Sequence, residues 1–140
     1  MKRMAVLIGL LALAVAPAVM AAAQTQAMGG ALDGTKWTVK VTPDDAAMKK
    51  GEKAFDDVLV MDGGYVTMSE CVKWGFKASK YATAKSGEGW SFQTEQTSDK
   101  EGKSTWTADV MGDAVKGKMV WTKSDGTVLN YMFEGKKAGK

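Results

Sequence analysis

The side chains that could do chemistry are few, and their spacing argues against most reactions. Histidine is absent and cysteine occurs once, at Cys71. Without imidazole the chain lacks the usual general base and the commonest metal ligand. One thiol allows no internal disulfide, no cysteine-rich zinc site and no Cys-x-x-Cys redox pair. Two acidic pairs, Asp44-Asp45 and Asp56-Asp57, are candidates for catalytic carboxylates or a Ca²⁺ site. Neighbours on a strand point to opposite faces, so Asp56 and Asp57 cannot act at one centre. Asp44-Asp45 stands where the start of a short helix favours negative charge. Asp57 shares its parity with Phe55, Leu59 and Met61, which predicts either a strand end in water or a bulge that re-aims it. No Gly-rich phosphate loop, G-x-S-x-G elbow or EF-hand pattern is present. These residues predict a protein that is not an enzyme and that carries no cofactor and no metal.

Sulfur offers two further possibilities. Met28, Met48, Met61, Met68, Met111, Met119 and Met132 could suit soft Cu(I). They form no Met-x-Met or Met-x-x-Met cluster, so filling gaps in a core is the expected role. Cys71 has Val72, Trp74 and Phe76 for neighbours, which predicts a buried structural thiol, although an odd cysteine in an oxidising compartment could also pair between chains.

The aromatic residues carry more information. Trp37, Trp106 and Trp121 each precede a threonine, and alternation sends the ring to the inner face and the hydroxyl outward. Trp90, Phe92, Tyr131 and Phe133 fall on the same inner face. Small domains bury large rings, so these could simply fill a core; facing an open cavity, they would form a ligand cage. The candidate ligand contacts are therefore Trp37, Trp90, Trp106, Trp121 and Tyr131. A second candidate surface is Glu70 to Lys77, where the alternation breaks and Trp74 and Phe76 could meet a protein partner if exposed together.

The elements that must position these residues follow from the pattern. Met1 to Ala23 reads as a secretory signal peptide: Lys2 and Arg3 lead an apolar run that closes on Ala21-Ala22-Ala23. That implies a periplasmic or secreted protein with cleavage after Ala23. No later segment approaches the ~20 apolar residues of a membrane span. Of the 19 basic residues, Lys2 and Arg3 leave with the signal, and the remainder contains no arginine and balances its 16 acids to within one charge. The forked side chain that grips phosphate or guanine is thereby missing, so nucleic acid is not an expected partner.

Residues 24–31 read as a flexible leader, 32–136 as one domain, and 137–140 as a basic tail. Within the domain, eight candidate strands start near Thr35, Phe55, Tyr65, Lys80, Trp90, Ser104, Val115 and Thr127, with turn signals near residues 63, 88, 101, 113 and 126. Pro43 to Gly51 reads as one or two helical turns. No helix is long enough to cross between parallel strands, so the prediction is an all-β, antiparallel, eight-stranded up-and-down barrel, with a two-sheet sandwich as the alternative.

Leu32-Asp33-Gly34-Thr35-Lys36-Trp37 opens the first strand in a way that resembles the Gly-x-Trp opening of lipocalins and other calycins. The meander from Leu32 to Lys136 is similar to those barrels in order and scale. The spacing from glycine to tryptophan is one residue longer here, and the arginine that lipocalins pack over that tryptophan has no counterpart. Avidin-like barrels begin similarly, but no set of biotin-contacting residues is present. The resemblance implies a barrel with a small apolar ligand in its mouth.

Overall fold

In the computed structural model, residues 27, 28 and 30–139 are described. The segment read as a signal peptide, with its expected cleavage point, lies outside the described residues. Strand β1, Ala27–Met28, lies in the stretch read as a leader and pairs with β5. The eight predicted strands then follow: β2 Thr35–Pro43, β3 Phe55–Asp62, β4 Tyr65–Met68, β5 Ser79–Ser86, β6 Gly89–Ser98, β7 Gly102–Met111, β8 Ala114–Thr122 and β9 Val128–Lys137. Each pairs antiparallel with its sequence neighbour, and β9 returns to β2 with Val41 opposite Phe133. The result is a closed up-and-down barrel, which leaves no long edge strand unpaired.

Local chemistry accounts for the connections. Helix α1, Asp45–Lys49, is capped by Asp44, whose Oδ1 accepts the Ala47 N–H at 2.8 Å. Helix α2, Ser69–Val72, has no side-chain cap of its own. Its turn ends at Gly75, whose φ of +86° falls in the left-handed region that glycine tolerates, and a Cβ there would also press on Ser98 Oγ at 3.0 Å. β5, expected to start near Lys80, begins at Ser79 and runs to Ser86. Tyr81, Ala82, Thr83 and Ala84 are all buried, which erases the alternation that normally reveals a strand. β9 runs through Lys136 to Lys137.

The two ends of the barrel differ. At one end lie the tight hairpins and the Leu32–Gly34 turn. Leu32 is buried there, and Asp33 accepts hydrogen bonds from the Tyr81 hydroxyl at 2.5 Å and from the Gly64 N–H at 3.0 Å. Those two bonds hold the Asp33 carboxyl below its ordinary value, the tyrosine contributing most. Above this end the interior is filled by Trp37, Leu59, Met61, Tyr81, Trp106 and Phe133, with the Trp106 and Phe133 rings 5.0 Å apart. At the other end lie α1, α2, the 99–101 loop and the 124–126 turn.

Two sequence expectations are corrected here. Asp57 is neither at a wet strand end nor re-aimed by a bulge. It keeps its inward parity and is 2% exposed. Its carboxylate is tolerated there because it does the capping that α2 lacks: Oδ1 accepts the N–H of Glu70 at 2.8 Å and of Val58 at 2.7 Å. The methionines also divide. Met61, Met68 and Met119 fill the core, whereas Met48, Met111 and Met132 are exposed, the latter two because strand parity points them outward.

Gly117 and Ala108 do not open space inside the barrel. They face one another across β7 and β8, and a Cβ on Gly117 would overlap the Thr107 carbonyl oxygen and approach the Ala108 Cβ to 2.6 Å. Their small size lets the two strands approach closely.

Candidate functional site

A cavity of about 330 Å³ opens at the α1/α2 end. Its walls come from segments far apart in the chain. Glu52 and Phe55 arrive from the segment after α1, Cys71, Trp74 and Phe76 from α2 and its turn, Ser104 from β7, Met119 and Trp121 from β8, and Tyr131 from β9. A larger concavity of about 460 Å³ runs over the outside of β5 to β8, where short outward side chains such as Ala82, Ala84 and Ser91 leave a trough. The mouth cavity is the more enclosed and the richer in aromatic rings, which are the features that favour a small-molecule site.

The rings in the mouth are held in place. Phe55 meets Trp74 edge-on at 5.5 Å and Tyr131 edge-on at 6.3 Å. The Trp121 indole N–H donates to the Glu101 carbonyl at 2.6 Å, and the Tyr131 hydroxyl donates to Glu52 Oε2 at 2.9 Å. Ser98 Oγ donates to the Trp74 carbonyl at 2.9 Å, tying the α2 turn to β6. Burial pushes the Tyr131 hydroxyl well above the ordinary tyrosine range, and the bonded carboxylate of Glu52 adds to the shift.

The sequence candidates separate on this geometry. Trp121 and Tyr131 line the cavity together. Trp37 and Trp106 are buried beneath it and belong to the packed core. Trp90 sits half-buried at the start of β6, at the opposite end, with the Lys85 ammonium 5.0 Å from its ring. Trp74 and Phe76 do not form an exposed patch: Trp74 is 43% exposed and Phe76 only 4%. Both instead line the mouth, which joins the two sets of candidates in one site. Glu52, Phe55 and Met119 complete the walls without having been singled out. Nothing in the local pattern marks Glu52, which lies in a connection and reaches Tyr131 only across the barrel opening.

Cys71 is buried, with its Sγ 3.5 Å from Asp57 Oδ2. Burial, and then the Asp57 charge, push the thiol far above its ordinary value, so the reactive thiolate is suppressed. Ellman's reagent is accordingly expected to modify Cys71 slowly in the native protein and rapidly in denaturant; equal rates would contradict the buried thiol. Gln96 is buried on β6 opposite Ser104, and its Oε1 has no hydrogen-bond partner among the described residues. Among those residues no group of three or more Cys, Asp or Glu side chains converges to hold a metal ion. No described helix is long and apolar enough to cross a membrane.

Fold and site together define a closed eight-stranded antiparallel barrel, filled at one end and bearing a concave, aromatic-walled mouth at the other. Compared with protein-family models, with curated proteins and with solved structures, the chain finds no match.

Proposed function

We propose that this is a secreted or periplasmic, calycin-like barrel that binds a small apolar or aromatic molecule in its mouth, without catalysis. The observation that carries the reading is the cavity of about 330 Å³ in the mouth, walled by Phe55, Trp74, Trp121 and Tyr131. A cavity of that size falls at the small end of the usual range for ligand pockets. Export is supported by the pattern of Met1 to Ala23. The absence of histidine and the high position of the Cys71 thiol support binding over chemistry.

Titrating the purified protein with naphthalene and with decanoate, while following tryptophan fluorescence, tests this. Saturable quenching is expected, and Trp121→Ala should abolish most of it while leaving the protein folded by circular dichroism. A flat titration with both compounds would refute the reading. A second reading, as a protein-interaction module, rests on the exposed edge of Trp74. It is the weaker one, because Phe76 is buried and of this segment's large apolar side chains only Val72 and Trp74 are exposed.

A further inference from the structure

Every described lysine is exposed except one, Lys123, which is half-buried beside two residues of the mouth. Its ammonium stands 5.0 Å from the centroid of the Trp121 ring and 3.8 Å from Glu52 Oε1. The fold therefore already holds a cation between an indole face and a carboxylate, the arrangement by which aromatic cages recognise ammonium groups. We propose that the mouth binds an organic cation, an alkyl- or arylammonium, whose charged head takes the place of the Lys123 ammonium between Trp121 and Glu52 while its apolar part enters the cavity. This deepens, and rests on, the reading of the mouth as a ligand site.

Three further features agree. Gln96, opposite the lining Ser104, keeps a buried Oε1 with no hydrogen-bond partner among the described residues, and the lining Lys53 is exposed. The carboxylates of Glu52 and Asp44 stand near enough for their charges to act on Tyr131, and those of Asp57 and Glu70 on Cys71. Lys123 is also replaceable. Its backbone is pinned by hydrogen bonds to Thr127 and Gly126, but its side chain is a flexible stem that can swing to water without moving the turn.

The experiment compares benzyltrimethylammonium with its uncharged isostere neopentylbenzene, by tryptophan fluorescence and calorimetry on the purified protein. The cation is expected to bind about ten-fold tighter or better. Glu52→Gln should weaken the cation several-fold and leave the isostere unchanged. Lys123→Met, which removes the internal competitor while keeping an unbranched side chain at the half-buried position, should strengthen the cation; it keeps the test decisive if Glu52→Gln proves unstable in a thermal melt. Equal or tighter binding of the isostere overturns the proposal but leaves an apolar site. A cation preference unchanged by both substitutions overturns it too, because the charge is then held elsewhere. Binding of neither probe overturns it as well; if naphthalene and decanoate also fail to bind, the mouth is no ligand site at all.

Discussion

Replacing Trp106 by alanine is expected to lower folding stability by about 4 kcal/mol, in the range for truncating a fully buried tryptophan. Trp106 is completely buried, packs against Phe133 at 5.0 Å, and donates its indole N–H to Ser104 Oγ at 3.2 Å. Truncation would open a void between β7 and β9, and a closed barrel has little freedom to collapse around it. Gly117 and Ala108 already bring β7 and β8 into close approach, so the strands cannot move nearer. Since small domains are stable by only about 5–15 kcal/mol, the loss would be a large share of the total. Trp121→Ala offers the contrast. Trp121 is half-buried at the open end and should cost much less stability while removing ligand response. Urea unfolding of both variants checks this; similar losses would mean that the mouth and the core are not energetically distinct.

The second large effect is expected at Asp57. Asp57→Ala leaves the N–H groups of Val58 and Glu70 without their acceptor in a buried setting. Each orphaned donor costs about 1–3 kcal/mol, partly offset by removing a carboxylate from an apolar interior, so a net loss of about 3 kcal/mol is expected. Asp57→Asn keeps an oxygen in place and should lose less. The two variants also differ from wild type in pH dependence.

Burial pushes the Asp57 carboxyl above its ordinary value of 3.8, against the opposing pull of the Glu70, Val58 and Cys71 donors. The folded protein then holds this proton more tightly than the unfolded chain does. Stability from this group is fully present below the unfolded value and is lost as pH rises through the folded one. Wild type should therefore gain stability relative to Asp57→Asn as pH falls through that window. A difference that stays constant with pH, or that reverses sign, would contradict the raised carboxyl.

Much of the fold is legible in the chain because its signals are local. Alternation in Trp37-Val39-Val41 and in Leu129-Tyr131-Phe133 sets strand and face, and Asp62-Gly63-Gly64 sets a hairpin. With eight such strands joined by short turns, closure is the simplest way to cover every edge. Asp57 shows where that reasoning stops. Its inward parity is evident in the sequence, but burying a carboxylate looks prohibitive until the bare amide of Glu70 is found beside it, thirteen positions along the chain.

The mouth depends on long-range placement in the same way. Trp121 and Tyr131 face inward by parity, as do Trp37 and Trp106, and nothing local says which pair ends beneath the other. That outcome follows from the position of each residue along its strand relative to the open end. Likewise Trp74 and Phe76, adjacent to an irregular turn, become cavity walls because α2 folds over the opening and Ser98 fastens the turn to β6.

Residue order alone therefore specifies strand number, facing and turn positions, since these depend on neighbours two to four residues apart. It also specifies the lack of imidazole and, beyond Arg3, of arginine, which limits the available chemistry. Which rings are core and which are site, why Asp57 is buried, and why Lys123 lies between Trp121 and Glu52 were settled by barrel closure. Closure brings together groups that no short-range pattern connects, and their energies depend on that assembled, partly desolvated neighbourhood.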